Sequence, residues 1–257
     1  MRPTASRTLP LALALAFALA APALADKPAA LPAYVKAAVA DPARSKDAEI
    51  DARRKAGELV AFSEAKPGDT VVELIPGSGY FTRVFSKVVG AKGQVYVVWP
   101  TQYAKMAVPD VRNSHALAKT AGFGNVVVLE QPAEALKAPK QADVVFTSQN
   151  YHDYNDPFMA PATVANLNKQ VYAALKPGGT WIIVDHVAEA GSGMRDTDGM
   201  HRIDPALVRK QVETAGFVYV GASEVLRNPK DSHKLTVFDK AIRRYTDQFV
   251  YKFRKPK

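Results

Sequence analysis

Two stretches of this 257-residue chain gather side chains able to do chemistry. The first is Glu73-Leu74-Ile75-Pro76-Gly77-Ser78-Gly79-Tyr80. Its glycines allow a sharp turn and a close approach of a ligand to the backbone. A helix opening at Tyr80 presents free N–H groups to whatever sits there. With the Glu73 carboxylate beside them, these groups suit a nucleoside-like ligand. The second is Ser148-Gln149-Asn150-Tyr151-His152-Asp153-Tyr154, an unbroken polar and aromatic run. His152 titrates near neutrality and could take a proton from an acceptor hydroxyl or amine, with Asp153 to orient it. Bracing its own loop is the structural alternative for His152. Asp185-His186 lies downstream, and His201-Arg202 further on could line an acceptor pocket or sit on the surface. Imidazoles and carboxylates of this kind bind divalent metals. The spacing of His152, Asp153, Asp185 and His186 assigns no metal, and none is expected.

The elements that would position these groups alternate along the chain. Thr70-Val71-Val72 is a β-branched run that reads as a buried strand. After the glycine turn comes an apolar-periodic helix through Tyr80, Phe81, Val84, Phe85, Val88 and Val89. Further strands are expected at 94–99, 126–130, 143–148, 180–185, 217–226 and 248–254. Helices are expected over 47–65, over 101–120 with a break at Pro109, over 161–175 and over 204–215. Asp204 should cap the last of these, with Pro205 in its first turn. The alternation indicates an α/β domain with a doubly wound, mostly parallel sheet. Ligands of such sheets sit outside the carboxyl ends of the strands, at the topological switch. By that rule the strand ends at Glu73, Trp99, Glu130 and Asn150 to Asp153 collect the candidate residues. Arg53-Arg54-Lys55 lie on the polar side of the 47–65 helix and are expected in solvent, with ligand binding by the arginines as the alternative. Residues 191–198, with hinge glycines Gly191 and Gly193, look like a lid.

In this order the motifs resemble class I S-adenosylmethionine-dependent methyltransferases. The likeness is carried by the loop from Glu73 to Gly79 and by Leu175-Lys176-Pro177-Gly178-Gly179-Thr180 leading into Trp181-Ile182-Ile183-Val184-Asp185, and it covers residues 58–255. More narrowly, the chain resembles predicted exported bacterial methyltransferases of unassigned substrate. That resemblance rests on Pro76-Gly77-Ser78-Gly79-Tyr80-Phe81-Thr82, Asn150-Tyr151-His152-Asp153, Asp185-His186, Gly191-Ser192-Gly193, His201-Arg202-Ile203-Asp204 and Phe253-Arg254-Lys255-Pro256. It implies a Rossmann-like sheet of seven strands with an antiparallel last strand. It implies S-adenosylmethionine as cofactor and methyl transfer to an oxygen or nitrogen of a small-molecule acceptor. Glu73, Gly77 and Gly79 would hold the amino-acid part of the cofactor, among Pro76, Ser78 and Tyr80. The loop carrying Asn150, His152 and Asp153 would face the transferring methyl group. Two departures stand out. Ile75 occupies the place of a third glycine. Trp99 occupies the place of an acid that binds the ribose hydroxyls; it can stack on an adenine but cannot accept two hydrogen bonds. Glu130 is a candidate contact near the adenine, or a solvated loop acid. These departures favour an alternative reading, a methyltransferase-fold protein that binds another small ligand without catalysis.

Composition bounds the remaining choices. The length suits one α/β domain with extensions, here an arm at 26–46 and a domain at 47–257. Residues 1–25 read as a cleaved export signal: Arg2 and Arg7, an apolar run, then Ala23-Leu24-Ala25. The expected location is the periplasm. Cleavage removes two arginines and no acid, so the net charge falls from +9 to +7. The basic residues are scattered except at 252–257, which allows weak contact with an anionic membrane surface. A nucleic-acid partner is not expected, because no dense basic stripe with interleaved aromatics is present. The absence of cysteine excludes disulfides, thiol chemistry and cysteine-bound zinc. Oligomeric state is left open.

Overall fold

The β-branched runs form seven strands, and the amphipathic runs between them form the helices that cover both faces. The computed structural model describes residues 30–257; the expected export signal and residues 26–29 of the arm lie outside the described residues. Helix α1 (Ala33–Val39), a 3-10 turn (Pro42–Asp47), α2 (Ala48–Arg54) and α3 (Ala56–Ser63) precede strand β1 (Thr70–Leu74). Then come α4 (Tyr80–Val89), β2 (Gln94–Pro100), α5 (Thr101–Ala104), α6 (Val108–Ala118) and β3 (Val126–Gln131). The second half runs β4 (Ala142–Ser148), α7 (Val164–Ala174), β5 (Leu175–His186), α8 (Thr197–Met200), α9 (Pro205–Thr214), β6 (Val218–Ala222) and β7 (Gln248–Arg254). Among the described residues no helix is long and apolar enough to cross a membrane.

The sheet order is β3-β2-β1-β4-β5-β7-β6. β1 to β5 pair in parallel, and β7 runs antiparallel between β5 and β6. This is the expected doubly wound α/β sheet with an antiparallel last strand. The strand order reverses between β1 and β4, so the crevice for a ligand opens beyond Leu74 and Ser148. Helix α4 presses Phe81 and Phe85 on Phe146 of β4, with ring centroids 4.7 and 5.0 Å apart. On the opposite face Val72, Leu74, Val98 and Val145 lie against Val171 of α7. The arm is not a separate appendage: Val35 of α1 is fully buried in the same core.

Several boundaries differ from expectation for local reasons. The single helix expected over 47–65 breaks at Lys55, whose φ of 53° is left-handed. The helix expected over 101–120 breaks at 105–107, and Pro109 sits in the first turn of α6, where it costs no hydrogen bond. Asp204 does cap α9, accepting from Ala206 N at 2.9 Å.

Candidate active site

At the end of β1 the chain turns through Ile75 to Gly79 into α4. Ile75 has φ of 47° although it is β-branched. It therefore keeps the backbone of a glycine at about 1–2 kcal/mol of steric cost, and its buried side chain lines the cleft. Gly77 has φ of 54°, and a Cβ there would meet nothing within 4 Å, so its backbone edge is open. Glu73 is 3% exposed. Its Oε2 accepts from the Thr82 hydroxyl at 2.5 Å. Burial pushes the Glu73 carboxyl up to about 8, against the pull of that hydrogen bond, Arg54 and Arg83. Asn150 ties the β4 loop to this turn by donating to Ile75 O (2.9 Å) and Ser148 O (3.1 Å). Its own Oδ1 is buried without a partner.

The resulting cleft of about 180 Å3 is bordered by Glu73, Pro76, Gly77, Ser78, Tyr80 and Asn150, together with Ile75, Arg54 and Tyr103. The first six are residues that the strand-end rule or the family resemblance singled out. Gly79 stands at the entry of α4 beside Arg83 and Leu117. Trp99 and Glu130 are not brought to the cleft. Trp99 is 0% exposed, and its indole donates to Ser114 Oγ at 3.1 Å. Glu130 is exposed, and its Oε1 lies 2.8 Å from His115 Nε2.

Residues before β1 strap the glycine turn in place. Arg83 donates to both Asp47 oxygens at 2.6 Å and to Ser78 O at 2.9 Å. Tyr80 OH donates to Asp51 Oδ1 at 2.5 Å, and Arg44 donates to the same oxygen at 2.8 Å. Arg54, expected in solvent, turns inward instead. Its guanidinium lies 5.1 Å from the centre of the Tyr80 ring and 4.9 Å from that of Phe81, and it donates to Ser148 Oγ at 3.3 Å. Burial pulls its pKa below the usual arginine value. The left-handed Lys55 makes this turn possible, and helical periodicity gives no sign of it. Tyr103 was also missed. It borders the cleft, and burial pushes its phenol up, with Asp153 the strongest of the charges acting on it.

An acidic cluster forms where the strand ends of β4 and β5 meet. His152 Nδ1 lies 2.8 Å from Asp185 Oδ1, and Asp185 Oδ2 accepts from His152 N at 2.9 Å. The carboxylate that orients the ring is therefore Asp185. Asp153, expected in that role, lies on the other side, 3.4 Å from His152 Nε2. His201 Nδ1 is 3.3 Å from the same Nε2. Burial pulls the His152 imidazole down, but Asp185 with Asp153 and Asp156 outweighs it and holds the ring up at about 9. Burial, with Asp185 and Asp156, pushes Asp153 up to about 7, against the pull of His152. His186 faces away, bonded to Thr246 Oγ1 at 2.7 Å, and burial pulls it down to about 3. Arg202 is fully buried rather than on the surface.

Beyond the cluster, between α7 and α9, lies a largely apolar groove of about 590 Å3. Tyr154, Asp156, Asn168, Met194, Leu207 and Gln211 are among its walls. The buried Tyr154 hydroxyl, both Asp156 oxygens and Asn168 Nδ2 have no hydrogen-bond partner. The Thr197 hydroxyl, which could serve Asp156, donates to Met194 O at 3.2 Å.

No family profile matches the sequence, and no curated protein does. Solved structures with the same fold are numerous. A SAM dependent methyltransferase from Aquifex aeolicus is 18% identical, with a TM-score of 0.55 over 86% of this chain and 96% of the other. The glycopeptide N-methyltransferase MtfA complexed with sinefungin is 13% identical, with a TM-score of 0.55 over 80% of this chain and 87% of the other. The [4+2]-cyclase SpnF is 15% identical, with a TM-score of 0.60 over 79% of this chain and 80% of the other. At these identities the likeness establishes the shared Rossmann-like fold. That fold carries more than one chemistry, so the reaction must be argued from the site.

Proposed function

We propose that the protein binds S-adenosylmethionine at the glycine-turn cleft and transfers its methyl group to an oxygen or nitrogen of a small molecule in the neighbouring groove. The observation that carries this reading is the pairing of opposite groups in one cleft. The Glu73 carboxylate and the unpartnered Asn150 Oδ1 suit an ammonium, and the Arg54 guanidinium suits a carboxylate. An amino-acid end fits these groups. The cofactor names borne by two neighbours of this fold, SAM dependence in one and bound sinefungin in the other, agree with it. Bound there, the cofactor supplies a methyl group already activated as a sulfonium.

The protein's own work is alignment and proton handling. With the cofactor bound, the acceptor's lone pair would take the methyl carbon as the sulfur–methyl electron pair returned to sulfur, and the protein's part would be to hold the two in line. The acceptor's proton leaves toward the His152–Asp153 pair, which directly precedes the groove residues Tyr154 and Asp156 in the chain.

Calorimetric titration of the purified chain with S-adenosylmethionine and its demethylated product tests the reading. Binding is expected, and it should tighten about tenfold or more in Ile75→Gly. That change removes a side chain from a cleft that is small beside the roughly 300–1,000 Å3 of ordinary ligand pockets. No heat with either ligand, in wild type and variant alike, would sink it. The same small volume favours the second reading, a non-catalytic site for a smaller zwitterion; retention of such a molecule through native purification would support that instead. The site of action, outside the cytoplasm, rests on residues 1–25 alone. The mass of the chain recovered from a periplasmic extract should lack them, and an intact amino terminus would overturn the export reading.

A further inference from the structure

We propose that His152 Nε2, His201 Nδ1 and a carboxylate oxygen of Asp153 form a binding site for one divalent ion of the zinc type, with a fourth position open to water or an acceptor oxygen. The donor atoms of these three residues all lie within 4.8 Å of one another. His152 Nε2 is 3.3 Å from His201 Nδ1 and 3.4 Å from Asp153 Oδ1. Two donors that each sit about 2.05 Å from a zinc ion at the tetrahedral angle are about 3.3 Å apart. The two contacts to His152 therefore already have the spacing of ligands around one ion. Two imidazoles and one carboxylate, with a free fourth position, are a donor set that suits zinc chemistry.

Two further observations point to an ion rather than a plain hydrogen-bond chain. The first is the outer partner of the histidine. Asp185 receives both the ring N–H and the backbone N–H of His152. That keeps a proton on Nδ1, so an ion that displaces the other ring proton meets an Nε2 lone pair on the side of His201 and Asp153. A carboxylate behind a metal-binding histidine acts in this way. The second is missing positive charge. Asp153 Oδ2 and both oxygens of Asp156 are buried with no donor, and the two residues are 3% and 5% exposed. Burying unpaired carboxylate oxygens is expensive, and a dication on Asp153 supplies positive charge to this acidic cluster. His201 reaches the cluster from a left-handed backbone position at the end of α8, with Phe238 edge-on at 4.8 Å.

The site rests on the methyl-transfer reading and changes one step of it: with His152 Nε2 and Asp153 on the ion, the ion would hold the acceptor oxygen and favour its deprotonated form, in place of proton transfer to His152. Ion binding is measured without cofactor or acceptor, so either idea can fail while the other stands. The test uses untagged full-length protein, stripped with chelator and titrated at pH 7.5 with Zn2+ by calorimetry and with Co2+ by visible absorption. One ion per chain is expected, with the d–d bands of a four-coordinate nitrogen–oxygen site. Asp185→Asn should weaken Zn2+ binding roughly 10–100-fold, as losing an outer-shell partner does, and His201→Ala by more. His115→Ala, in an exposed pair, should bind as wild type. His201 is only half-buried, and far-ultraviolet circular dichroism reports whether its variant stays folded. Should that variant unfold, the Co2+ spectrum of the wild type decides. The inference is overturned by wild-type protein without stoichiometric ion or coordinated Co2+ bands, or by a folded His201→Ala that binds as tightly as wild type.

Discussion

Arg202→Leu is expected to cost about 3–5 kcal/mol of stability, the usual result of removing one partner from a buried ion pair. Arg202 is 0% exposed and has no water to fall back on. Its Nη1 donates to Val187 O and its Nε to Leu235 O, both at 2.8 Å. Its Nη2 reaches both oxygens of Asp231, at 2.9 and 3.1 Å. Asp231 in turn accepts from the backbone of Asp247 and His233. Burial alone would push the Asp231 carboxyl up, but these donors hold it below the ordinary range. Asp247 gathers Arg227, Asn228 N and His233. The long connection 223–247 between β6 and β7, which holds no helix or strand, is thus organised on two buried aspartates and one buried arginine. It roofs the region of His201, with Phe238 on the ring and Val237 N donating to Met200 O at 3.2 Å. A domain of this size loses about 2–4 °C of melting temperature per kcal/mol, so thermal unfolding should fall by roughly 6–20 °C. The double variant Arg202→Leu/Asp231→Leu should recover part of the loss, because it strands no charge. A fall of less than about 1 kcal/mol for the single variant would show that the network is dispensable.

The same region shows where reading the chain stops working. Helical and strand periods are local, and they placed Glu73, the glycine turn and the loop around Asn150 and His152 at adjacent strand ends. The bond from Arg202 to Asp231 spans 29 positions, and that from Asp247 N to Asp231 spans 16. No period encodes such pairs. Residues 191–198 look like a hinged lid from their glycines, yet Gly191 N donates to Asp204 Oδ2 at 2.9 Å and Asp196 O accepts from Arg202 N at 3.1 Å. Opening would break these bonds. Adjacency suggested Asp153 as the orienting partner of His152, whereas the fold supplies Asp185 from the neighbouring strand. Arg54 reads as the solvated face of a helix because a left-handed Lys55 has no sequence signature. Trp99 ends its strand at the expected place, but Ser114 and Tyr103 draw it into the core; the centroids of Trp99 and Tyr103 lie 6.2 Å apart.

The Glu73 carboxyl should make both stability and ligand binding depend on pH, in opposite directions. Its folded value of about 8 stands above the ordinary 4.5 because the group is buried. A group raised on folding contributes stability that is fully present below its unfolded value and is lost as pH rises through the folded one. Between about pH 4.5 and 8 the native protein therefore holds a proton that the unfolded chain has released. Stability should decline there by up to about 1.4 kcal/mol per pH unit from this group. Glu73→Gln should remove that slope, since the amide keeps the shape of the protonated acid and has no proton to lose. A ligand that presents an ammonium to this position favours the ionised carboxylate and must expel the proton to bind. Its affinity should rise about tenfold per pH unit between pH 5.5 and 7.5, with close to one proton released per ligand, and should be flat in Glu73→Gln. Titration calorimetry in two buffers of different ionisation heat reads the proton directly. A wild-type affinity for S-adenosylmethionine that does not change over this range would mean that Glu73 meets no cation. The ammonium would then have to be held by Asn150 Oδ1 alone. The stability slope, measured without ligand, would still stand, because it depends only on the carboxyl being buried beside the glycine turn.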